Sequence, residues 1–393
     1  MNRLIIIVSF FALFTHSHLY TQESERAQYP QWAIIGAGPA GISVIGLLVD
    51  LGVPAKNIVW IDPKFNVGRL GEHYTQVPSN TQTKYFVEFL HCCKTFQQVQ
   101  THSIAQLYAY NPEQEYQLKI IIDPLQDITN YLRTQVISIQ SNLTSLDYKD
   151  DLWQIGIDND ITYAHNVVLA TGSHPKTLTY HNHNATQIQL DIALDKAALA
   201  EHVCADDSIA VIGSAHSAIL ILKYLSELSV KRIINFYNKP IQYAIENPSG
   251  IIIEGEAGLK GETARWALNV LEKNPPANLI RLFNSPAVLD SWLCICNKII
   301  YAIGFERNEL PAINGDHALY DQYDGSSGII APHLFGIGIA FPEKIHAQDG
   351  NYQLGIGLND FIEYAQRILP SWMQKKSTKS LSYFNQLFHI TAL

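Results

Sequence analysis

Six residues, Gly36-Ala37-Gly38-Pro39-Ala40-Gly41, have the spacing of a phosphate cradle. In G-x-G-x-x-G the first glycine permits a tight turn off a strand. The second lets the backbone approach a pyrophosphate, and the third lets the following helix pack closely on the sheet. The chemistry on offer is anion binding at a helix N-terminus, where free N–H groups and a partial positive charge meet phosphate oxygens. About 20 residues past the last glycine, Asp62 ends an apolar run from Ile58 to Ile61 and can accept hydrogen bonds from a ribose. Strand, turn, helix and acid therefore fall in the order of a dinucleotide-binding unit.

Other segments must position that unit. Trp32 to Ile35 is the strand that feeds the turn, and Ile42 to Leu51 is an amphipathic helix leaving it. Val167 to Leu169 is a second buried strand, running into Ala170-Thr171-Gly172, where small residues let a crossing backbone pass close to a bound nucleotide. A helix begins near Thr83, with Phe86, Phe89 and Leu90 on one face. Gln135 to Gln140 and Trp153 to Ile157 alternate as strands of a small antiparallel sheet. After a polar linker from Pro175 to Asp191 the nucleotide pattern repeats. Ser208 to Ile212 is a strand, Gly213-Ser214-Ala215-His216-Ser217-Ala218 a turn, Ile219 to Leu228 a helix and Ile233 to Tyr237 a strand. Ala215 occupies the second glycine position and brings a methyl to where a pyrophosphate would approach. Lys239, rather than an acid, follows the last strand, and a cation there suits a 2′-phosphate. An apolar strand from Cys294 ends in Ala302-Ile303-Gly304-Phe305, with Cys294 and Cys296 on one face. Leu334 to Pro342 is another glycine-containing strand end, and Leu358 to Leu369 is a helix stopped by Pro370.

The 393 residues suffice for about two domains. A net charge of −9 without a basic run argues against a nucleic-acid partner. The cysteines, five and irregularly spaced, form no disulfide framework. Arg3, the apolar run from Leu4 to Phe14 and a polar stretch to Gln31 resemble a secretory signal, though no A-x-A site follows. The run is short for a membrane span. It points to export or anchoring, with membrane association only if it stays uncleaved, whereas use of soluble nucleotide cofactors points to the cytoplasm.

The order G-A-G-P-A-G, acid, A-T-G, second glycine turn, A-I-G-F and G-I-G resembles the flavoproteins with two dinucleotide-binding domains. These include the thioredoxin reductase-like enzymes and the flavin-containing and N-hydroxylating monooxygenases. The resemblance implies an α/β fold, an FAD-binding Rossmann-like domain with an inserted second Rossmann-like NAD(P)-binding domain. Residues 1–30 would be a leader or signal-like segment, 31–190 and 291–393 the FAD-binding domain, and 191–290 the NAD(P)-binding domain. Gly36, Gly38, Gly41 and Asp62 would hold the ADP half of FAD, with Thr171 and Gly172 beside it and Val136 at the adenine. Gly336 and Gly338 would lie near the ribityl chain. Gly213 and Ser214 would face the pyrophosphate of NADP, with Lys239 at its 2′-phosphate. Two departures stand out. Ile303 replaces the threonine usual in the monooxygenases, and Ile339 replaces an acid typical of the reductases.

Disulfide reduction needs two cysteines at short spacing beside the flavin. Cys92-Cys93, adjacent on a helix, and Cys294/Cys296 read instead as packing residues. The segment Tyr74 to Thr81 resembles the monooxygenase element that brings an asparagine to the flavin's reactive edge. It makes Asn80 the leading active-site candidate, with Arg69 available to stabilise negative charge. The implied activity is FAD-dependent NADPH oxidation that passes electrons to dioxygen and a small nucleophilic substrate. A reductase serving a protein or quinone, and a non-catalytic FAD-binding protein, remain as alternatives. No metal is expected, since His181 and His183 lack a third ligand. Gly258-Leu259-Lys260-Gly261-Glu262 is distinctive but has no assigned role.

Overall fold

The computed structural model describes residues 29–178, 184–246, 252–254, 258–346 and 352–374. The signal-like run and His181 and His183 lie outside them. Strand β1 (Trp32–Ile35) is buried along its whole length, as a strand covered on both faces must be. The chain turns at Gly36 into α1 (Pro39–Asp50), where proline at the first position forfeits no intrahelical bond. Every residue from Ala40 to Leu48 is buried, so α1 is a core helix with no wet face over that stretch. Strand β2 (Ile58–Ile61) pairs parallel to β1, Trp32 opposite Ile58. Three helices that wall the site follow: α2 (Gly68–His73), α3 (Thr83–His91) and α4 (Lys119–Gln135). The expected Phe86/Phe89/Leu90 face of α3 is its buried face.

Strand β3 (Ile137–Ile139) is not part of an antiparallel sheet; it pairs parallel to β2 at the edge of the main sheet. Alternation reports a half-exposed strand but not its partner, and an edge strand is half-exposed in either sheet. The antiparallel sheet is built from β4 (Leu143–Lys149), β5 (Leu152–Ile157) and β6 (Asp160–Ala164), so Trp153 to Ile157 falls where expected. Strand β7 (Asn166–Leu169) then returns beside β1.

The second unit comprises β8 (Thr186–Gln187), β9 (Ser208–Ile212), α5 (His216–Glu227), β10 (Arg232–Tyr237), β11 (Leu279–Phe283) and β12 (Lys298–Tyr301). They form one parallel sheet in the order β11-β10-β9-β12-β8. This unit therefore reaches beyond the expected 191–290 span at both ends. Strand β12 is not a return strand of the first domain, because its apolar residues pair with β9. Cys294 and Cys296 also leave their expected strand. Cys294 caps the helix Pro286–Leu293, and Cys296 lies in the turn before β12.

The chain recrosses with Phe305–Arg307 paired antiparallel to Ser173–Pro175, so the outgoing and returning connections lie side by side. Strands β13 (Ile329–Ala331) and β14 (Leu334–Gly336) complete the main sheet, order β13-β14-β7-β1-β2-β3. Helix α6 (Leu358–Gln374) covers α1 and continues through Pro370 rather than stopping there. The proline sacrifices one helical hydrogen bond. The turn beyond it is held by Trp372, which stacks on Phe335 with centroids 4.3 Å apart and donates its indole N–H to Ser327 O at 2.7 Å. No helix among the described residues is long and apolar enough to cross a membrane.

Candidate functional site

The first glycine turn lies at the carboxyl end of the main sheet, where open parallel sheets bind ligands. Gly36 has φ +110°, and a Cβ there would lie 2.2 Å from Ala170 O. A Cβ on Gly41 would lie 2.1 Å from Gly36 O, so neither position admits a side chain. Gly38 is different. A Cβ there would meet nothing within 4 Å, leaving the backbone bare toward open space at the start of α1. That open cradle is the form a diphosphate requires.

Asp62 is buried and accepts three backbone N–H bonds, from Ala37 at 2.7 Å, Lys64 at 2.8 Å and Phe65 at 2.6 Å. The expected ribose acceptor is thus also the clamp that sets the turn against the next loop. Two carboxylate oxygens offer about four acceptor positions, so capacity for a hydroxyl remains.

A cavity of about 680 Å³ opens from this turn. Gly36, Gly38, Asp62, Arg69, Asn80, Thr171 and Gly172, all proposed from sequence, line it together. The Thr171 hydroxyl is buried there without a hydrogen-bond partner. The bare Gly38 cradle and this orphaned hydroxyl fit an FAD-type dinucleotide, and the volume falls in the range of cofactor pockets. Asn308 lines the same wall and donates to Thr171 O at 2.8 Å, while His174 Nδ1 lies 3.1 Å from its oxygen. Sequence reasoning missed Asn308, which lies 137 residues from Thr171 and carries no local signal.

Arg69 is not free. Its guanidinium pairs with Asp191, and its Nε donates to Tyr74 Oη at 3.3 Å. Tyr74 donates in turn to Asp191 at 2.7 Å. Burial opposes the Arg69 charge, but the bonds to Tyr74 and Asp191 outweigh it and its pKa rises. Burial, with the bond to Asp191, raises the Tyr74 phenol. Arg69 therefore links the cavity wall to the second unit instead of presenting an unpaired charge to a cofactor.

Asn80 is exposed at the cavity edge and accepts from the Thr81 hydroxyl at 3.3 Å. The unassigned Gly258–Glu262 segment meets it: a Cβ on Gly261 would lie 3.5 Å from Asn80 Cα and 3.2 Å from the Glu115 carboxyl. Arg265 pairs with Glu115 at 3.0 Å across the same junction.

The second turn repeats the first in backbone. Gly213 has φ +139°, and its Cβ would lie 2.2 Å from Ala302 O. Ala215 caps α5 and is exposed. Ser214 Oγ lies 3.5 Å from Asn238 Oδ1. Lys239 is exposed in the following loop. His216 opens α5, with its Nε2 3.1 Å from the Thr263 hydroxyl and its Nδ1 buried without a partner. Burial, reinforced by Lys260, lowers its pKa to about 4, so the ring is neutral at pH 7.

Three expected positions stand off the cavity wall. Val136 does not reach the cavity; it terminates α4 and packs in the core, and Ser141, Asn142 and Leu143 line the nearby wall. Gly336 and Gly338 are not lining residues either. Phe341 fills the space beside Gly336, Gly338 lies against Ala40, and the next residue, Ile339, reaches the cavity. Cys92 and Cys93 are not on one helix, since Cys92 ends α3 and Cys93 precedes the next helix. Among the described residues no cysteine lines the cavity. Burial pushes the Cys93 thiol up to about 12 and the Cys296 thiol to about 11, far from thiolate chemistry.

Comparison with known proteins agrees with this geometry. The family model described as pyridine nucleotide-disulphide oxidoreductase matches residues 30–240. Monooxygenase AgnR1 of Paecilomyces divaricatus is 30% identical over 86% of this chain and 97% of its own length. A flavin-containing monooxygenase from Stenotrophomonas maltophilia superimposes with TM-score 0.58 at 15% identity, covering 87% of this chain and 98% of that one. Thioredoxin reductase from Lactococcus lactis gives 0.52 at 11%, over 88% and 99%. These two structures share the fold. With the family model and a relative matched along nearly its whole length, the chain belongs to the pyridine nucleotide-disulphide oxidoreductase family, as a flavin-dependent oxidoreductase of the monooxygenase-like kind.

Proposed function

We propose that this protein is an FAD-dependent, NADPH-consuming monooxygenase acting on a small soft nucleophile such as an amine or thioether. FAD held there would supply two-electron chemistry between NADPH and dioxygen, with one oxygen atom going to the substrate and the other leaving, with two protons, as water. The chain's residues bind, orient and exclude water. The turn at Gly36 to Gly41 and Asp62 would hold the adenosine diphosphate half. The turn at Gly213 and Ser214 would hold the second nucleotide. Asn80 has a carboxamide that can both donate and accept, at the edge where the two units meet.

One observation carries this reading. Asn80 stands where the cavity wall meets the Gly261 segment of the second unit, and no cysteine among the described residues shares that wall. Electrons leaving the cavity have a polar amide beside them and no dithiol to receive them. The test is spectroscopic. Purified protein is expected to be yellow and to bleach anaerobically with NADPH. Admitting air should restore the colour, with oxygen uptake stimulated by an amine or sulfide. Asn80→Ala should keep the colour and lose at least tenfold in stimulated uptake, the scale of a lost positioned donor. Yellow protein that neither NADPH nor NADH bleaches would overturn the proposal. Ala215 in the second turn makes a non-catalytic FAD protein the reading favoured by that result.

A further inference from the structure

Strand register aligns the two nucleotide units residue by residue. Trp60 lies opposite Ile34, and Asn235 lies opposite Val211, each one residue before the strand that feeds a glycine turn ends. Both side chains do the same work. The Trp60 indole donates to Gly36 O at 3.0 Å, and the Asn235 amide donates to Gly213 O at 2.8 Å. By this alignment Asp62 of the first unit corresponds to Tyr237 of the second.

Asn235 does something that Trp60 cannot. It is fully buried, and its amide oxygen accepts from Arg281 Nε at 3.0 Å. Arg281 sits directly opposite Asn235, on the edge strand β11. Its guanidinium lies over the Tyr237 ring, 4.8 Å from the centroid. Where the first unit places a carboxylate, the second places an aromatic ring with a cation against it. No ion pair engages this guanidinium among the described residues, and its Nη2 is buried without a hydrogen-bond partner. The nearby Glu272 carboxylate acts on this charge without a direct ion pair and accepts the Tyr243 hydroxyl at 2.6 Å. A half-buried guanidinium with an unsatisfied nitrogen is costly unless an anion completes it. A guanidinium fork held at Nε and stacked on a ring is pre-organised for a phosphate dianion, whereas a lysine on a loop is a mobile point charge.

We infer that Arg281, fixed to the second glycine turn through Asn235, is the residue that selects a 2′-phosphorylated adenosine nucleotide over its unphosphorylated counterpart. This rests on the NADPH reading and moves its specificity determinant from Lys239, exposed in the loop after β10, to the neighbouring strand.

The test is calorimetric titration of the flavin-containing protein as purified with 2′,5′-ADP and with 5′-AMP. Wild type should bind 2′,5′-ADP roughly 10- to 100-fold more tightly, the scale of one or two charge-assisted hydrogen bonds. Arg281→Gln should bring that ratio to near one while changing the 5′-AMP affinity by less than about threefold. Arg281→Lys should give an intermediate ratio, and it serves in place of Arg281→Gln if that variant loses its flavin or its circular dichroism signature. Lys239→Gln should retain most of the preference. A preference that survives both Arg281 substitutions, or that disappears in Lys239→Gln alone, overturns the inference and leaves the NADPH reading standing. Wild type that prefers 5′-AMP, or binds both probes equally, overturns both.

Discussion

The two glycine turns share one backbone and differ in what they show to a ligand. Gly36 N donates to Ile61 O at 2.8 Å, and Gly213 N donates to Phe236 O at 2.9 Å. Ala170 and Ala302 each close the crossing with a 2.8 Å bond, to Ile35 O and Ile212 O. In both, a Cβ on the leading glycine would sit 2.2 Å from the crossing alanine's carbonyl oxygen. That glycine is demanded by the chain's own crossing, with or without a ligand. Two of the positions that differ lie where a nucleotide would meet the turn: Gly38 against Ala215, and Asp62 against Tyr237. The comparison separates residues the fold requires from residues that recognition requires.

The largest expected effect comes from the third position. A Cβ on Gly41 would lie 2.1 Å from Gly36 O, whereas the corresponding Ala218 is accommodated and fully buried. Gly41→Ala should destabilise the protein by on the order of 3 kcal/mol and abolish flavin retention, read as denaturation midpoint and absorbance. Ala218→Gly should cost only about 1 kcal/mol, mostly helix propensity, and leave the colour intact. Equal costs for the two would mean that α1 and α5 approach their turns alike.

The first helical residue differs too, Pro39 against His216. With the folded pKa near 4 and the ordinary value at 6.5, the unfolded chain binds a proton between those pH values that the folded chain does not. Stability from this group is therefore complete above pH 6.5 and is lost as pH falls toward 4, by about 3 kcal/mol at most. The helix N-terminus, which disfavours a cation, acts in the same direction. Unfolding of wild type and His216→Gln across pH 4 to 7 should give a difference curve that slopes below pH 6.5 and is flat above it. A flat difference throughout would show the ring protonating freely in the folded protein.

Asp62→Asn should cost about 1–3 kcal/mol, because three backbone donors share that carboxylate and an amide cannot accept from all of them in place. Tyr237→Phe, at the matching position, should leave stability within about 0.5 kcal/mol. If Asp62→Asn loses FAD affinity but no stability, Asp62 serves the ribose and not the turn.

The first turn was legible in the sequence because its signal is local: strand, glycines, helix and acid lie within one βαβ unit. The A-T-G crossing was legible by the same logic, and so was the repeat at Gly213. What the sequence concealed is pairing at a distance. Arg69 read as a free cation because Asp191 stands 122 residues away. Ile137–Ile139 read as antiparallel because alternation is blind to the partner strand. Val136 was expected at the cavity but spends its side chain on the core. Pro370 read as a helix stop because a proline's local cost is visible in sequence, whereas the Trp372–Phe335 stack that offsets it is not. Arg281 gave no signal, since its meaning depends on the register between β10 and β11.

The smallest effect tests the outward-facing glycine position directly. Nothing lies within 4 Å of where a Gly38 Cβ would be, so Gly38→Ala should leave the unfolding midpoint of the flavin-free protein nearly unchanged while weakening flavin binding. Ala215→Gly runs the other way. Ala215 is exposed, caps α5 with extended backbone and makes no side-chain cap bond. Glycine is a better cap than alanine, so the fold loses nothing. Removing the methyl should lower KM for NADPH a few-fold, worth less than about 1 kcal/mol, with kcat and flavin content unchanged. A KM that does not move would mean that the second turn holds its nucleotide away from Ala215, and that the two turns are alike in backbone but not in the way they meet a phosphate.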